Sequence, residues 1–398
     1  MNILQSFTNV ALAGTIFFGS MVTTGCAADS MMKQEKPAFN DLEIAHIAYT
    51  AGALDIRYAH LALALSDNPE VKKFAELIGK TLNCQSGYEI SKYEKKYGKP
   101  NIVFSASGSQ KAHFIAAKYS AKNNIPWIAD YGDPWYSIEK KNRPYLAKIV
   151  KSIEANLVSK ASKLIFTTNA TKKEYIDKYN ILASKCNVIP YGFLAKDTLV
   201  EEKKINNTEN QIITYSHIGT AHKNDRNLIP FILALDEYQL EKKSKFGMLI
   251  AGKHSPDFDV FLNKSKIHKK NIYNLISLEH SVKLHLECDI SIIVGNKNGA
   301  QVPGKIFVCL AIPRPILYIA QTNQDNDEAY SFLKDTGGII YCNSNDVQSI
   351  KLSLRFISLN YNLLQKKSYE RVESEIVNKF EGKNLSNHLK NLINELSN

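Results

Sequence analysis

The sequence predicts an α/β fold in two units, each a parallel sheet with helices on its faces. From about residue 100 onward, short apolar runs bounded by turn residues alternate with stretches of helical spacing, the signature of βαβ units. The stretch NNIPWIADYGDPW, residues 123 to 135, shows the pattern plainly. Its apolar run lacks polar alternation, as expected of a strand covered on both faces, and ends in Asp130, Tyr131, Gly132, Asp133, Pro134 and Trp135. The polar run AKDTLVEEKKINNTEN, between Leu194 and Gln211, divides the alternation in two.

The expected strands, in order, are Ile102 to Ser105, Pro126 to Asp130, Lys163 to Thr168 and Asn187 to Pro190 in the first unit. In the second they are Ile212 to His217, Gly247 to Ala251, Ile272 to Leu275, Ile290 to Val294, Pro315 to Ile319 and Gly338 to Tyr341. Ligands of open parallel sheets sit beyond the carboxyl ends of the strands, so residues just past these runs are the first candidates for a site. The polar run QTNQDNDEAY (321 to 330) reads as a solvated loop or helix start, and DFD at 257 to 259, after a proline, as a helix start rather than a metal site.

Hydrophobic content of 44% and charged content of 22% are globular values. The net charge of +11 points to anionic partners. No dense basic block with interleaved aromatics occurs, which argues against nucleic acid. The cysteines Cys26, Cys84, Cys186, Cys288, Cys309 and Cys342 have no metal spacing, and the later ones read as small buried apolar residues.

The beginning of the chain differs. An apolar run from Val10 to Val22 followed by TTGCAADS reads as a signal-like segment over 1–28, too short for a spanning helix of about 20 residues. Residues 40–79 carry helical spacing at Ile44, Ile47, Ala51, Leu54, Tyr58, Leu61 and Leu65, broken at Ser66 to Pro69. This stretch resembles the start of an exported, ferritin-like helical family of unknown function. His46 and His60 lack a carboxylate-x-x-His partner and read as surface or half-buried residues.

Beyond about residue 85 the ordered segments SASGSQKAHFIAAKYSAKNNIPWIADYGDPW, EANLVSKASKLIFTTNATKKEYIDKY, NVIPYGF, ITYSHIGTAHKNDRN, FGMLIAGKH and LEHSVKLHLECDISIIVG, then QVPGKIFVCLAIPRPIL, resemble a retaining glycosyltransferase of family 4. The resemblance implies two Rossmann-like domains of the GT-B type, an acceptor domain over 85–200 and a nucleotide-sugar donor domain over 205–398. It also implies hexose transfer from a nucleotide-sugar to a polysaccharide or lipid-linked acceptor, with no further cofactor; the residues themselves show no convincing Asp-x-Asp metal site.

The resemblance assigns donor-site roles to Gly219, Arg226, Lys223, Pro303 and Lys305. Cations there would stabilise the charge of a departing diphosphate, and Gly219 would let the backbone pass close to it. Taken singly, each cation reads equally well as a solvated surface residue. His113 and Asp133 fall where the resemblance implies the acceptor side of a cleft, as the catalytic candidates. The alternatives are a half-buried structural histidine and an aspartate that caps its turn. The basic stretch at 140 to 160 allows peripheral contact with an acidic membrane surface, or simple solvation.

Two departures from the resemblance carry expectations of their own. Ala300 and Val308 stand where glutamates are usual, and a valine cannot accept a ribose hydroxyl's hydrogen bond. Donor affinity is then expected to fall roughly 10- to 100-fold unless something compensates. The leading strands of an acceptor domain are not legible before Ile102, where the helical family stands instead. The expectation is a fusion with its junction between about 78 and 90. As a working transferase the chain would act in the cytoplasm or at the inner membrane's cytoplasmic face; use of the signal-like segment would export it. The competing expectation is a non-catalytic remnant.

Overall fold

A computed structural model describes residues 94–397, apart from 96–97, 108–109, 133, 137–146, 194–211, 222–225, 243–244 and 345. The signal-like segment, the helical segment, the 78–90 junction and both cysteines Cys26 and Cys84 lie outside these residues.

Each apolar run expected to form a strand does so. The first unit contains β1 (Val103–Ala106), α1 (Gln110–Asn123), β2 (Trp127–Tyr131), α2 (Ala147–Lys160), β3 (Lys163–Phe166), α3 (Asn169–Tyr179) and β4 (Cys186–Val188). These strands form one parallel sheet in chain order. Trp127, Ile128 and Ala129 of β2 are all buried, so the run without alternation is covered on both faces as its sequence requires. On α2, Val150, Glu154, Leu157 and Val158 turn inward while Lys148, Lys151 and Lys160 face solvent.

The second unit runs β5 (Ile213–Ile218), α4 (Ile229–Lys242), β6 (Phe246–Ala251), α5 (Pro256–Lys264), β7 (Lys269–Tyr273), α6 (Leu278–Glu287), β8 (Ile290–Val294), α7 (Lys305–Leu310), β9 (Ile316–Ala320), α8 (Glu328–Leu333) and β10 (Ile339–Asn343). Helices α9 (Val347–Val372), α10 (Glu375–Asn378) and α11 (Gly382–Ser397) follow. The sheet is parallel, in the order β10-β9-β8-β5-β6-β7. This is the doubly wound Rossmann arrangement, and its strand order reverses between β5 and β8. The GT-B expectation of two Rossmann-like units therefore holds for the described residues.

One strand is displaced from its expected place. β7 begins at Lys269 rather than Ile272, and Leu275 is exposed in the turn beyond it. As the sheet's edge strand it is only partly covered, so its apolar residues do not mark its span. The DFD stretch opens α5 behind Pro256, and Asp327 caps α8 by accepting from Tyr330 N. Cys186, Cys288, Cys309 and Cys342 form no disulfide and are buried, as expected of small apolar residues.

Two features join the units. The N-cap hydroxyl of α3, Thr168 Oγ1, accepts from Thr171 N at 3.0 Å and donates to the carbonyl of Ala300 at 2.8 Å. Ala170 N, one of the orphan donors of that helix start, donates a hydrogen bond to Glu328 Oε1 of α8 at 2.8 Å. The chain then returns from the second unit. Leu385, Leu389 and Leu392 of α11 pack with Phe104, Ile128, Ile165 and Ile189 and cover one face of the first sheet.

Candidate functional site

The topological switch between β5 and β8 is where the fold itself places a ligand crevice. At the end of β5 sits Gly219, with φ of +141°, a left-handed conformation that a side chain rarely adopts. A Cβ there would lie 3.3 Å from Lys305 Nζ, so the lysine fills the space that a side chain would take. Lys305 opens α7, immediately after the buried Pro303 and exposed Gly304.

Arg226 follows β5 and is also left-handed, with φ of +53°. Its Nε donates to Asn296 Oδ1 at 3.0 Å, and Asn296 Nδ2 donates to the Gln301 carbonyl at 3.1 Å. The segment after β8 thus anchors the guanidinium that the segment after β5 provides. Lys305 Nζ is 3.5 Å from Nδ1 of the fully buried His217. Burial holds that imidazole well below the usual histidine range, and the lysine's charge acts in the same direction.

Neither Lys305 nor Arg226 has a carboxylate partner among the ion pairs of the described residues. Two half-buried cations beside a glycine turn, with no carboxylate partner among the described residues, make a receptor for an anion that comes from outside.

The carboxyl ends of the first sheet converge near the same place. A Cβ on Gly132, just past β2, would lie 2.9 Å from Tyr191 Oη and 3.6 Å from Ser107 Oγ. Tyr191 in turn lies 3.5 Å from the Cβ position of Gly304, next to Lys305. Strand ends of both units therefore border one region. The open groove of about 670 Å³ between β10 and α9, lined by Tyr341, Leu352 and Phe356 among others, has no Lys or Arg in its walls. It suits a diphosphate poorly.

The expected donor-site residues Gly219, Arg226, Pro303 and Lys305 come together; Lys223 lies outside the described residues. So does Asp133, one residue beyond Gly132. His113 is placed differently from a group lining an open cleft. It has no exposed surface, its Nδ1 is 2.7 Å from Ser105 Oγ, and its ring lies 4.4 Å from that of Tyr131. Trp127 Nε1 donates to the same Ser105 oxygen at 2.8 Å. Burial pushes the His113 imidazole down to about 3.

Sequence reasoning missed Asn296, His217 and Tyr191. Asn296 lies two positions past the end of β8 and could have been found by the strand-end rule. His217 lies inside a strand, where no local pattern marks it.

Comparison with protein families matches residues 26–83 to a domain of unknown function, DUF4142. No curated protein matches the chain. Among solved structures, HepE of Anabaena in complex with UDP-glucose superposes with a TM-score of 0.62 at 11% identity, covering 91% of this chain and 98% of that one. A glycosyltransferase from Rickettsia africae gives 0.52 at 16% identity, with 83% of each chain covered. The UDP-GlcNAc 2-epimerase of Neisseria meningitidis bound to UDP-GlcNAc gives 0.52 at 13% identity, covering 89% of this chain and 96% of that one. The fold is therefore the GT-B architecture, which carries both transferases and epimerases.

Proposed function

We propose that the chain is a retaining glycosyltransferase of the family 4 type, moving a hexose from a nucleotide-sugar to a polysaccharide or lipid-linked acceptor. The observation that carries this reading is the convergence of Gly219, Arg226 and Lys305 at the β5/β8 switch, with no carboxylate paired to either cation among the described residues. The solved structures of like fold that hold UDP-glucose or UDP-GlcNAc support a nucleotide-sugar as the ligand.

In the reaction the bond between the anomeric carbon and the diphosphate oxygen breaks, an acceptor hydroxyl oxygen bonds to that carbon on the same face, and the hydroxyl's proton passes to the departing diphosphate. Negative charge collects on the departing diphosphate, and Arg226 and Lys305 stabilise it at a site already built for it. Asp133, past the carboxyl end of β2, accepts from sugar hydroxyls. His113 acts as a positioning residue, holding Ser105 and the β2 end beneath the acceptor. The exposed Lys148, Lys151 and Lys160 of α2 offer contact to an acidic membrane surface.

Titration calorimetry tests the donor site. Arg226→Ala should weaken binding of a nucleoside diphosphate about 10- to 100-fold, the worth of a charge-assisted pair. Unchanged affinity would remove the assignment.

A second reading is favoured by Val308, which lies half-buried on the exposed side of α7 where a carboxylate would hold a ribose, and by the separate family match at 26–83. On this reading the chain is a composite that binds nucleotides without transferring sugar. Nucleotide binding by residues 205–398 together with no transfer by the whole chain would favour it.

A further inference from the structure

The surroundings of Lys305 are unusual for a lysine. Its ammonium has one hydrogen-bonding neighbour among the described residues, the Nδ1 of a buried imidazole, and no carboxylate. Among the described residues, the groups around it are cationic or neutral. His217 comes from β5, Arg226 from the segment after it, His285 from α6, and Cys309 from α7 itself; His254, after β6, acts on His217. Exposed lysines elsewhere in the chain, such as Lys283 and Lys366, pair with glutamates one helical turn away. Lys305 is instead held over the glycine turn and beside a second cation.

We infer that Lys305 gives up much of its charge in the empty site and takes up a proton when a diphosphate binds, so that donor binding and protonation are one coupled event. The inference rests on the donor-site reading above and adds a property to it. An incoming diphosphate supplies a counter-charge that no described residue gives Lys305, and it restores the ammonium form. The same geometry spares the free protein two neighbouring positive charges that no described carboxylate offsets. Burial lowers the Lys305 amine to about 7, and Arg226 adds to this against an opposing pull from Cys309.

The direction follows from linkage. Above pH 7 the complex holds more protons than the free protein, so affinity is greatest at lower pH and falls as pH rises.

The test is calorimetry of the full chain with UDP at pH 8, in two buffers that differ in heat of ionisation. The terminal phosphate of UDP, with a pKa near 6, is already ionised there and adds no uptake of its own. The expected result is an uptake close to one proton per UDP, with affinity about tenfold weaker at pH 9 than at pH 8. Lys305→Arg, whose guanidinium keeps its proton at both pH values, should bind with no uptake and with little dependence on pH.

UDP binding by the unaltered chain with no uptake and a flat affinity would overturn the inference and leave the donor site standing. Equal uptake in Lys305→Arg would also overturn it, by placing the proton elsewhere. No binding of UDP, GDP or ADP would overturn the donor-site reading and the inference with it.

Discussion

His113, His217 and His285 share a physical state: each is buried and held neutral. His285 sits between Ser216 Oγ at 3.1 Å and Ser291 Oγ at 3.0 Å, and burial pushes it to about 3. The unfolded chain binds protons on these side chains near the ordinary value of 6.5, whereas the folded chain does not. Stability is therefore fully present above pH 6.5 and falls as pH drops towards 3, by about 2 kcal/mol per histidine at pH 5. Urea midpoints at pH 7 and pH 5 check this; His285→Gln should narrow the difference by about 2 kcal/mol, the share of one histidine. Gly219 is the other decisive single residue. Gly219→Ala meets a left-handed backbone and the Lys305 ammonium together. It should cost about 1 to 3 kcal/mol and weaken UDP binding at least about tenfold. A variant that binds as before would show that the turn does not shape the donor site.

Among the elements, α7 is held from behind by Arg371 of α9. The Arg371 Nη2 donates to the carbonyls of Ile312 and Arg314 at 2.7 Å, its Nη1 to that of Gly337 at 2.9 Å, and its Nε to that of Leu310 at 3.2 Å. The side chain is buried, which lowers its guanidinium to about 10. It takes up carbonyls left over where α7 ends, so the helix that begins with Lys305 is fixed at its far end. Arg371→Met leaves several buried acceptors unpaired and should cost about 3 kcal/mol or more in urea unfolding. A loss below 1 kcal/mol would mean that water replaces the guanidinium. Nothing in the sequence marks this arginine: on α9 it stands among exposed and buried residues alike, and its partners lie 34 to 61 positions away.

For the molecule as a whole, the return of α11 to the first sheet is the main device that makes the two units interdependent. The β1, β2 and β3 residues Phe104, Ile128 and Ile165 take their cover on that face from Leu385, Leu389 and Leu392, near the end of the chain. Leu389→Ala should cost about 2 to 5 kcal/mol. Amide exchange should quicken in the first sheet more than in the second; equal acceleration in both, or in neither, would show that α11 does not act through this face.

The strands were legible because buried parallel strands need unbroken apolar runs, a local property that chain order carries. Within the donor site, Gly219, Arg226, Pro303 and Lys305 could be named from resemblance, because each stands beside a strand or helix end that local pattern locates. The partners of those residues were not legible. Asn296 reaches Arg226 across 70 positions, and His217 meets Lys305 across 88. The sequence by itself determined the alternating α/β order, the division near 194–211 and the residue types available for an anion. Only the tertiary structure decided that His113 is sealed inside the first unit, that Lys305 rests on a neutral imidazole, and that α11 crosses back. Local pattern records what a residue needs to bury, whereas contact across the sheet switch depends on the strand order β10-β9-β8-β5-β6-β7, which no single stretch encodes.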